Sequence, residues 1–239
     1  MLTLDLNALE LGNGQTALDL GCGAGRHLHA MFYHAYLTAI GVDLGFEDVV
    51  RTRKGFEAYP DIEPGSNRRF GLAVADATNL PLPDGSFDVI ICSEVLEHVP
   101  DFRQVLREIV RILKPGARLG ISVPRFTPEY MCWLLEERYH RAPGGHIRIF
   151  RTNTLIDEVE QTGLRLYKRH YAHGLHSPYW WLQCARWDAR TTDWAVASYR
   201  RLLEWDILKR PWLTRTAETL LNPIMGKSTV LYFRKALRE

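Results

Sequence analysis

The sequence predicts an α/β protein built on a parallel, doubly wound sheet. Short apolar segments alternate with segments of helical periodicity, which is the pattern of repeated strand–helix–strand units. Three glycines at alternating positions directly follow the first apolar segment, and four successive apolar segments end in polar residues. Because such sheets bind ligands along the carboxyl edge of their strands, we expect the functional site there.

The first strand and its glycine turn are the most informative stretch. Thr16–Leu20 reads as a buried strand, and Gly21, Gly23 and Gly25 lead from it into a helix. Glycine lets the backbone adopt positive φ and approach a ligand closely, and the amides of the helix start point to the same place. No Lys-Ser/Thr pair follows, which excludes a P-loop, and the Asp19 carboxylate beneath the turn disfavours a diphosphate. A tight strand–helix turn without a ligand is the alternative.

The second, third and fourth apolar segments also end in polar side chains, at Asp43, Asp76 and Ser93. An acid at the end of the second strand can accept hydrogen bonds from both hydroxyls of a ribose. Turn and capping roles are the alternatives for the two aspartates. Together the strand ends predict a site for a nucleoside-like ligand.

The other elements follow in chain order. Helices are expected over 4–11, 25–37, 46–58, 101–113, 128–140 and 152–162, and strands over 16–20, 39–43, 69–75, 87–92, 117–123, 164–170 and 229–234. The helix at 101–113 has an apolar face at helical spacing. The Lys-Pro-Gly sequence at 114–116 ends it.

Four motifs occur in order between about residues 10 and 125. They are Asp19-Leu-Gly-Cys-Gly-Ala-Gly, Gly41-Val-Asp-Leu, Asp76-Ala-Thr-Asn-Leu-Pro-Leu-Pro-Asp-Gly-Ser-Phe-Asp-Val-Ile and Leu113-Lys-Pro-Gly-Ala-Arg-Leu. This set resembles the class I S-adenosylmethionine-dependent methyltransferases, of the methyltransferase type 11 kind, in the small-molecule branch with the ubiquinone and menaquinone enzymes. The resemblance implies a Rossmann-like, seven-stranded sheet with an antiparallel last strand. It also implies a core of residues 1–177 and 224–239, with 178–223 as a helical, tryptophan-rich insertion between the last two strands.

The resemblance further implies S-adenosylmethionine as cofactor. The glycine loop would hold its amino-acid end, with Asp19 neutralising the ammonium group. Asp43 would bind the ribose, Leu44 would cover the adenine, Asp76 would bind the adenine amino group, and Ser93 would approach the sulfonium. The expected cofactor-binding residues are Asp19, Gly21, Cys22, Gly23, Gly25, Asp43, Leu44, Asp76, Ala77 and Ser93.

Methyl transfer needs a base only where the acceptor must lose a proton. His98 and Glu94, just after the fourth strand, are candidates, as is His146 together with Arg148. If residues 146–150 are extended, His146 and Arg148 lie on one face, where they could hold an acceptor's carboxylate, phosphate or phenolate. A structural role for His98 and a hydrogen-bond network at a helix entry for the other two are the alternatives.

The expected insertion contains six of the seven tryptophans. Five of them are spaced 7, 7, 11 and 7 residues apart, which returns to nearly one face of a helix: Trp180, Trp187, Trp194, Trp205 and Trp212. This stripe could pack on the main domain, form a lid over an apolar substrate pocket, or meet a membrane surface or a second copy of the chain.

Composition limits the remaining possibilities. A length of 239 residues suits one α/β domain with an appendage, and a net charge of +2 does not argue for nucleic acid. We expect no signal peptide and no membrane span, and the four separated cysteines favour the cytoplasm. We also expect no metal site at His170, His173 and His176, because Gly174 and Pro178 interrupt the segment and no acidic cluster accompanies it.

The sequence therefore predicts a cytoplasmic enzyme that transfers a methyl group directly to a small, partly apolar or aromatic acceptor. An RNA methyltransferase of the transfer-RNA-modifying type is the alternative, because the last forty residues hold nine Lys or Arg against four Asp or Glu. A catalytically silent cofactor-binding or scaffold protein with this fold is the second alternative.

Overall fold

The computed structural model describes residues 2–58, 67–209 and 211–237. Its strands are β1 (Thr16–Leu20), β2 (Thr38–Asp43), β3 (Arg69–Val74), β4 (Phe87–Ser93), β5 (Leu113–Pro124), β6 (Leu164–Ala172) and β7 (Ser228–Lys235). They form a seven-stranded sheet in the order β3-β2-β1-β4-β5-β7-β6. Strands β1 to β5 pair in parallel, whereas β7 is antiparallel to both β5 and β6. The expected Rossmann-like sheet with an antiparallel last strand is confirmed.

Nine α-helices among the described residues alternate with the strands or lie between them. They are α1 (Arg26–His34), α2 (Phe46–Glu57), α3 (Phe102–Ile112), α4 (Phe126–Leu135), α5 (Arg138–Arg141), α6 (Thr152–Glu160), α7 (His176–Ala185), α8 (Trp194–Lys209) and α9 (Trp212–Met225). Among the described residues, none of these helices combines the length and the apolar character that crossing a bilayer requires.

The central strands are apolar on both faces because helices pack against both. The register sets Leu18 beside Ile90 and Ala17 beside Val89. Leu18 and Ile90 belong to one buried cluster, and Ala17 and Val89 belong to the cluster on the opposite face. Since β1 pairs in parallel with both β2 and β4, the carboxyl ends of these three strands lie at one edge of the sheet.

Two local expectations are wrong. The first residues form turns rather than a helix over 4–11. Leu4 and Leu9 of this segment pack on Gly120 of β5, where a Cβ would lie only 2.2 Å from Leu4 Cδ2. The helix expected over 128–140 is split into α4 and α5, because Glu136 adopts an extended backbone between them.

Three α-helices, α7 to α9, lie between β6 and β7. The five spaced tryptophans are therefore distributed over several helices and do not form one stripe. Trp180 and Trp187 are half-buried, whereas 80% of Trp194 and 77% of Trp212 are exposed. The expectation that all five tryptophans pack on the main domain is therefore wrong for Trp194 and Trp212. The turns over 190–193 and the break at Pro211 interrupt the helical register that their spacing suggested.

Candidate functional site

The glycine loop follows β1 with positive φ at all three glycines, +74° at Gly21, +52° at Gly23 and +83° at Gly25. The amides of Gly21 and Cys22 donate to the Val42 carbonyl at 2.7 and 3.0 Å, which ties the loop to the end of β2. Among the described residues, no atom would lie within 4 Å of a Cβ on Gly23. The loop therefore presents open space at its middle, where a ligand can approach the backbone.

Asp43 connects the glycine loop to the start of α2. Its Oδ2 accepts a hydrogen bond from the Gly23 amide at 2.7 Å, and its Oδ1 accepts one from the Gly45 amide at 2.8 Å. A carboxylate has about four acceptor sites. Asp43 can therefore hold the loop and still accept hydrogen bonds from a ligand.

A cavity of about 630 Å³, here called the loop cavity, opens above these strand ends. Leu44 lies at its mouth with 74% of its surface exposed. The Asp76 carboxylate accepts hydrogen bonds from the Thr78 amide and hydroxyl, both at 2.8 Å, which lowers its pKa. The lining residues are Leu20, Gly21, Gly23, Val42, Asp43, Leu44, Ala75, Asp76, Ala77, Thr78, Glu94, Val95, His98, Val99, Pro100 and Asp101.

Three of the predicted cofactor residues lie behind this cavity. Asp19 is buried, and its Oδ2 accepts a hydrogen bond from the Leu28 amide at 2.9 Å, whereas its Oδ1 has no partner among the described residues. Burial raises the pKa of Asp19 to about 7. Burial also raises the pKa of the Cys22 thiol to about 12, so Cys22 is a small loop residue without thiolate reactivity. Ser93 is buried, and its hydroxyl forms a hydrogen bond with the hydroxyl of Ser122.

A second cavity of about 570 Å³, here called the tryptophan cavity, lies between the sheet edge and α7. Glu94 lines both cavities. It has a positive φ of 56°, which is uncommon outside glycine, and its Oε1 accepts a hydrogen bond from the Ser122 hydroxyl at 2.9 Å. The two cavities therefore meet at the end of β4. The lining residues are Thr3, Arg26, Glu94, Tyr139, Ala142, Pro143, Gly144, Gly145, His146, His173, His176, Trp180, Gln183, Trp187, Arg190, Ile207, Lys227 and Ser228.

His146 is held against a buried ion pair in the wall of the tryptophan cavity. Its Nδ1 lies 2.6 Å from Oε1 of Glu129, and the ammonium of Lys227 contacts the other carboxylate oxygen. Burial alone would raise the pKa of Glu129, but the hydrogen bond with His146 and the charge of Lys227 hold it at about 2. Since Nδ1 is taken by a carboxylate, Nε2 is the nitrogen that His146 can offer to a ligand.

His98 lies between the two cavities. Its ring centroid is 5.0 Å from that of His146, and its Nε2 is 4.0 Å from the buried carboxylate of Glu97. Burial and then the neighbouring His146 lower the pKa of His98. His98 and His146 are thus brought together although they are far apart in sequence.

The predicted pairing of His146 with Arg148 is wrong. Arg148 donates hydrogen bonds to the backbone carbonyls of Leu96, Val99 and Pro100, at 3.3, 2.6 and 2.7 Å. Residues 145–150 form no strand, so the alternation of faces that the pairing assumed does not apply. Arg148 supports the loop after β4 and does not line the tryptophan cavity.

Sequence reasoning missed the ion pair that orients His146. Glu129 belongs to α4 and Lys227 precedes β7, 98 residues further along the chain. Neither residue lies in a recognisable motif. The one available signal was a lysine, Lys227, directly before the last strand, and it did not indicate which residue it would pair with.

The sheet order and the helices around it match a fold found in solved structures. Two solved structures share the fold over almost the whole chain. A methyltransferase dependent on S-adenosylmethionine from Methanosarcina mazei has a TM-score of 0.63 at 17% identity, with coverage of 99% of this chain and 100% of its own. The [4+2]-cyclase SpnF has a TM-score of 0.63 at 20% identity, with coverage of 97% and 78%.

Residues 18–121 match the model of the Methyltransferase domain family. An O-methyltransferase from Pyrenophora dematioidea is 34% identical over 51% of this chain and 44% of its own length. A ubiquinone biosynthesis O-methyltransferase from Aeromonas salmonicida is 33% identical over 53% of this chain and 50% of its own. The chain spans about a third to a half of the curated relatives it matches.

The cofactor of this family is S-adenosylmethionine, and two features of the site fit it. The unpartnered Oδ1 of Asp19 lies beneath the glycine loop, where the cofactor's ammonium group can satisfy it through water. The open space at Gly23 lets the cofactor's amino-acid end approach the loop backbone closely.

Proposed function

We propose that the chain transfers the methyl group of S-adenosylmethionine to a small acceptor seated in the tryptophan cavity. The observation that carries the proposal is the junction of the two cavities at Glu94. A cofactor in one cavity and an acceptor in the other would meet at this point. Proximity and alignment supply much of the rate in such a reaction.

The loop cavity supplies a partner for each part of the cofactor. Asp43 offers the ribose hydroxyls a carboxylate that is already fixed by two amides. Leu44 would cover the adenine and Asp76 and Ala77 would lie at its edge, since all three line this cavity. When bound, the cofactor supplies a methyl group already activated by the positive sulfonium.

The tryptophan cavity favours an acceptor with an aromatic or apolar part and a polar end. Tyr139, Trp180, Trp187 and Ile207 provide apolar surface. Arg190 stacks over Trp187, with its guanidinium carbon 3.9 Å from the ring centroid. A phenol or an enol combines these properties, and several of the similar proteins are named as O-methyltransferases.

His146 is suited to remove the proton of such a hydroxyl. As the acceptor oxygen attacks, its proton would move to Nε2 of His146, and the Glu129 carboxylate would stabilise the imidazolium through Nδ1. Lys227 keeps Glu129 ionised in its buried position. His98 lines the neighbouring loop cavity, with its ring centroid 5.0 Å from that of His146.

Two of the nine cations behind the RNA alternative have structural partners and do not count towards a phosphate-binding surface. Lys227 pairs with Glu129, and Lys235 donates to the carbonyls of Val110 and Leu113, both at 2.7 Å. A [4+2]-cyclase has the same fold, so the fold alone does not establish methyl transfer. The activity is inferred from the site residues and is tested directly.

Replacing Asp43 with asparagine should weaken binding of S-adenosylmethionine about 100-fold. The variant keeps the shape but loses charge-assisted hydrogen bonds of about 1.5–3 kcal/mol each, to the ribose and to the Gly23 amide. Isothermal titration gives the affinity, and label transfer from methyl-labelled cofactor to a panel of phenols, enols and transfer RNA gives the activity.

Asp48→Asn is the matched control, since Asp48 begins α2 five residues away and does not line the loop cavity. It should bind as the wild type does. Equal affinity in all three proteins would contradict the assigned ribose site, and transfer to RNA but to no small molecule would replace the proposed acceptor class.

A further inference from the structure

We propose that His173, His176 and Glu218 bind one divalent transition-metal cation where β6, α7 and α9 meet. His173 follows β6, His176 begins α7, and Glu218 lies in the middle of α9. Their candidate ligand atoms all lie within 4.8 Å of one another. The helical segment between the last two strands therefore completes a set of two imidazoles and one carboxylate.

The orientation of His173 is suited to a metal ligand. Its Nε2 lies 3.0 Å from the hydroxyl of the buried Thr3, and its Nδ1 lies 3.9 Å from Oε1 of Glu218. Metal-binding histidines characteristically use their second nitrogen in such a hydrogen bond, which fixes the ring and the tautomer. His173 also has a φ of +65°, a conformation that costs energy outside glycine and turns the residue out of the strand direction.

Polar atoms of this cluster lack the hydrogen bonds that buried polar groups normally make. Among the described residues, Nδ1 of His176 and Oε1 of Glu218 have no hydrogen bond. Asp206 of α8 is close enough to act electrostatically on both residues, and its Oδ2 is also buried without a partner. A cation would satisfy these atoms together and would offset the two carboxylates.

The donor set selects the class of metal. Imidazole suits zinc, iron, nickel and copper, whereas magnesium and calcium prefer oxygen alone. With bonds of about 2.0–2.2 Å, tetrahedral ligand atoms lie roughly 3.4 Å apart. The cluster would therefore contract by about 1 Å, which rotation of the His176 and Glu218 side chains can supply.

The site borders the tryptophan cavity, because His173 and His176 line it. Three protein ligands leave a fourth position for water or for a donor atom of a bound molecule. The metal would also tie α9 to the sheet edge. The inference does not depend on methyl transfer, since binding is measured on the protein alone.

The test is equilibrium dialysis of chelator-treated protein against Zn²⁺ alone, with the metal counted by mass spectrometry. Wild type should hold one zinc per chain and should melt several degrees higher with zinc than without it. Glu218→Gln should bind at least 10-fold more weakly, and His176→Gln provides an independent second variant. Circular dichroism verifies that each variant is folded.

Glu97→Gln is the matched control because Glu97, His98 and His146 form a separate cluster with similar spacing. This variant should still bind one zinc. A folded wild type without stoichiometric zinc would overturn the proposal. So would binding that survives both Glu218→Gln and His176→Gln, or binding that is lost in Glu97→Gln alone.

Discussion

Replacing His146 with asparagine should lower kcat for methyl transfer to a hydroxyl acceptor by about 10²- to 10⁴-fold, the usual contribution of a positioned general base. Affinity for S-adenosylmethionine should stay within about twofold of wild type, because His146 lines the tryptophan cavity and not the loop cavity. Steady-state kinetics with the best acceptor of the screen and titration with the cofactor measure the two quantities separately.

The control for this variant is His34→Asn. His34 is exposed at the end of α1 and lines neither cavity, so both its kcat and its affinity for the cofactor should be unchanged. A kcat for His146→Asn within about threefold of wild type would remove His146 from the mechanism. An acceptor that reacts without losing a proton would then be indicated.

Replacing Glu129 with glutamine should lower the free energy of unfolding by about 3–5 kcal/mol, because it leaves the buried Lys227 ammonium without its anion. Adding Lys227→Met to this variant should recover part of the loss, since the double variant buries no unpaired charge. Urea denaturation at neutral pH gives the three free energies and, with Lys227→Met alone, completes a double-mutant cycle.

The pH dependence of stability tests the same pair. The pKa of Glu129 is about 2 in the folded protein against an ordinary 4.5. Its contribution should therefore be complete above about pH 4.5 and lost as the pH falls towards 2. Wild type should lose more stability than Glu129→Gln between pH 5 and pH 2.

Glu136 provides a contrast, because its pKa is also held at about 2, by Arg138, whose side chain is 56% exposed, whereas the Lys227 side chain is 13% exposed. Surface ion pairs contribute little to stability. Glu136→Gln should therefore unfold almost as the wild type does. Equal losses of unfolding free energy in Glu129→Gln and Glu136→Gln would show that burial does not increase the contribution of the Glu129–Lys227 pair to stability.

The sheet and the loop cavity could be predicted because their signals are local. Each strand is a short apolar segment, and the glycine spacing requires the positive φ values that the loop adopts. Asp43 is the last residue of β2 and Asp76 lies two residues beyond the end of β3, so the parallel register brings them to one cavity. Asp19 was also predicted, although the structure places it behind the loop.

The wall of the tryptophan cavity could not be predicted, because it depends on contacts between distant segments. His146 is oriented by residues from α4 and from the start of β7. The segment of Arg148 is irregular, so side-chain alternation failed there. The absence of a nearby acid argued against a metal at His173 and His176, but the fold supplies Glu218 from α9.

A crystal structure of the complex with S-adenosylhomocysteine tests the central claim most directly. We expect the ribose to bind Asp43 and the adenine to lie beside Leu44 and Ala77. The sulfur should lie at the junction of the two cavities by Glu94 and face the tryptophan cavity. No bound nucleoside at saturating concentration, or a nucleoside outside the loop cavity, would contradict it.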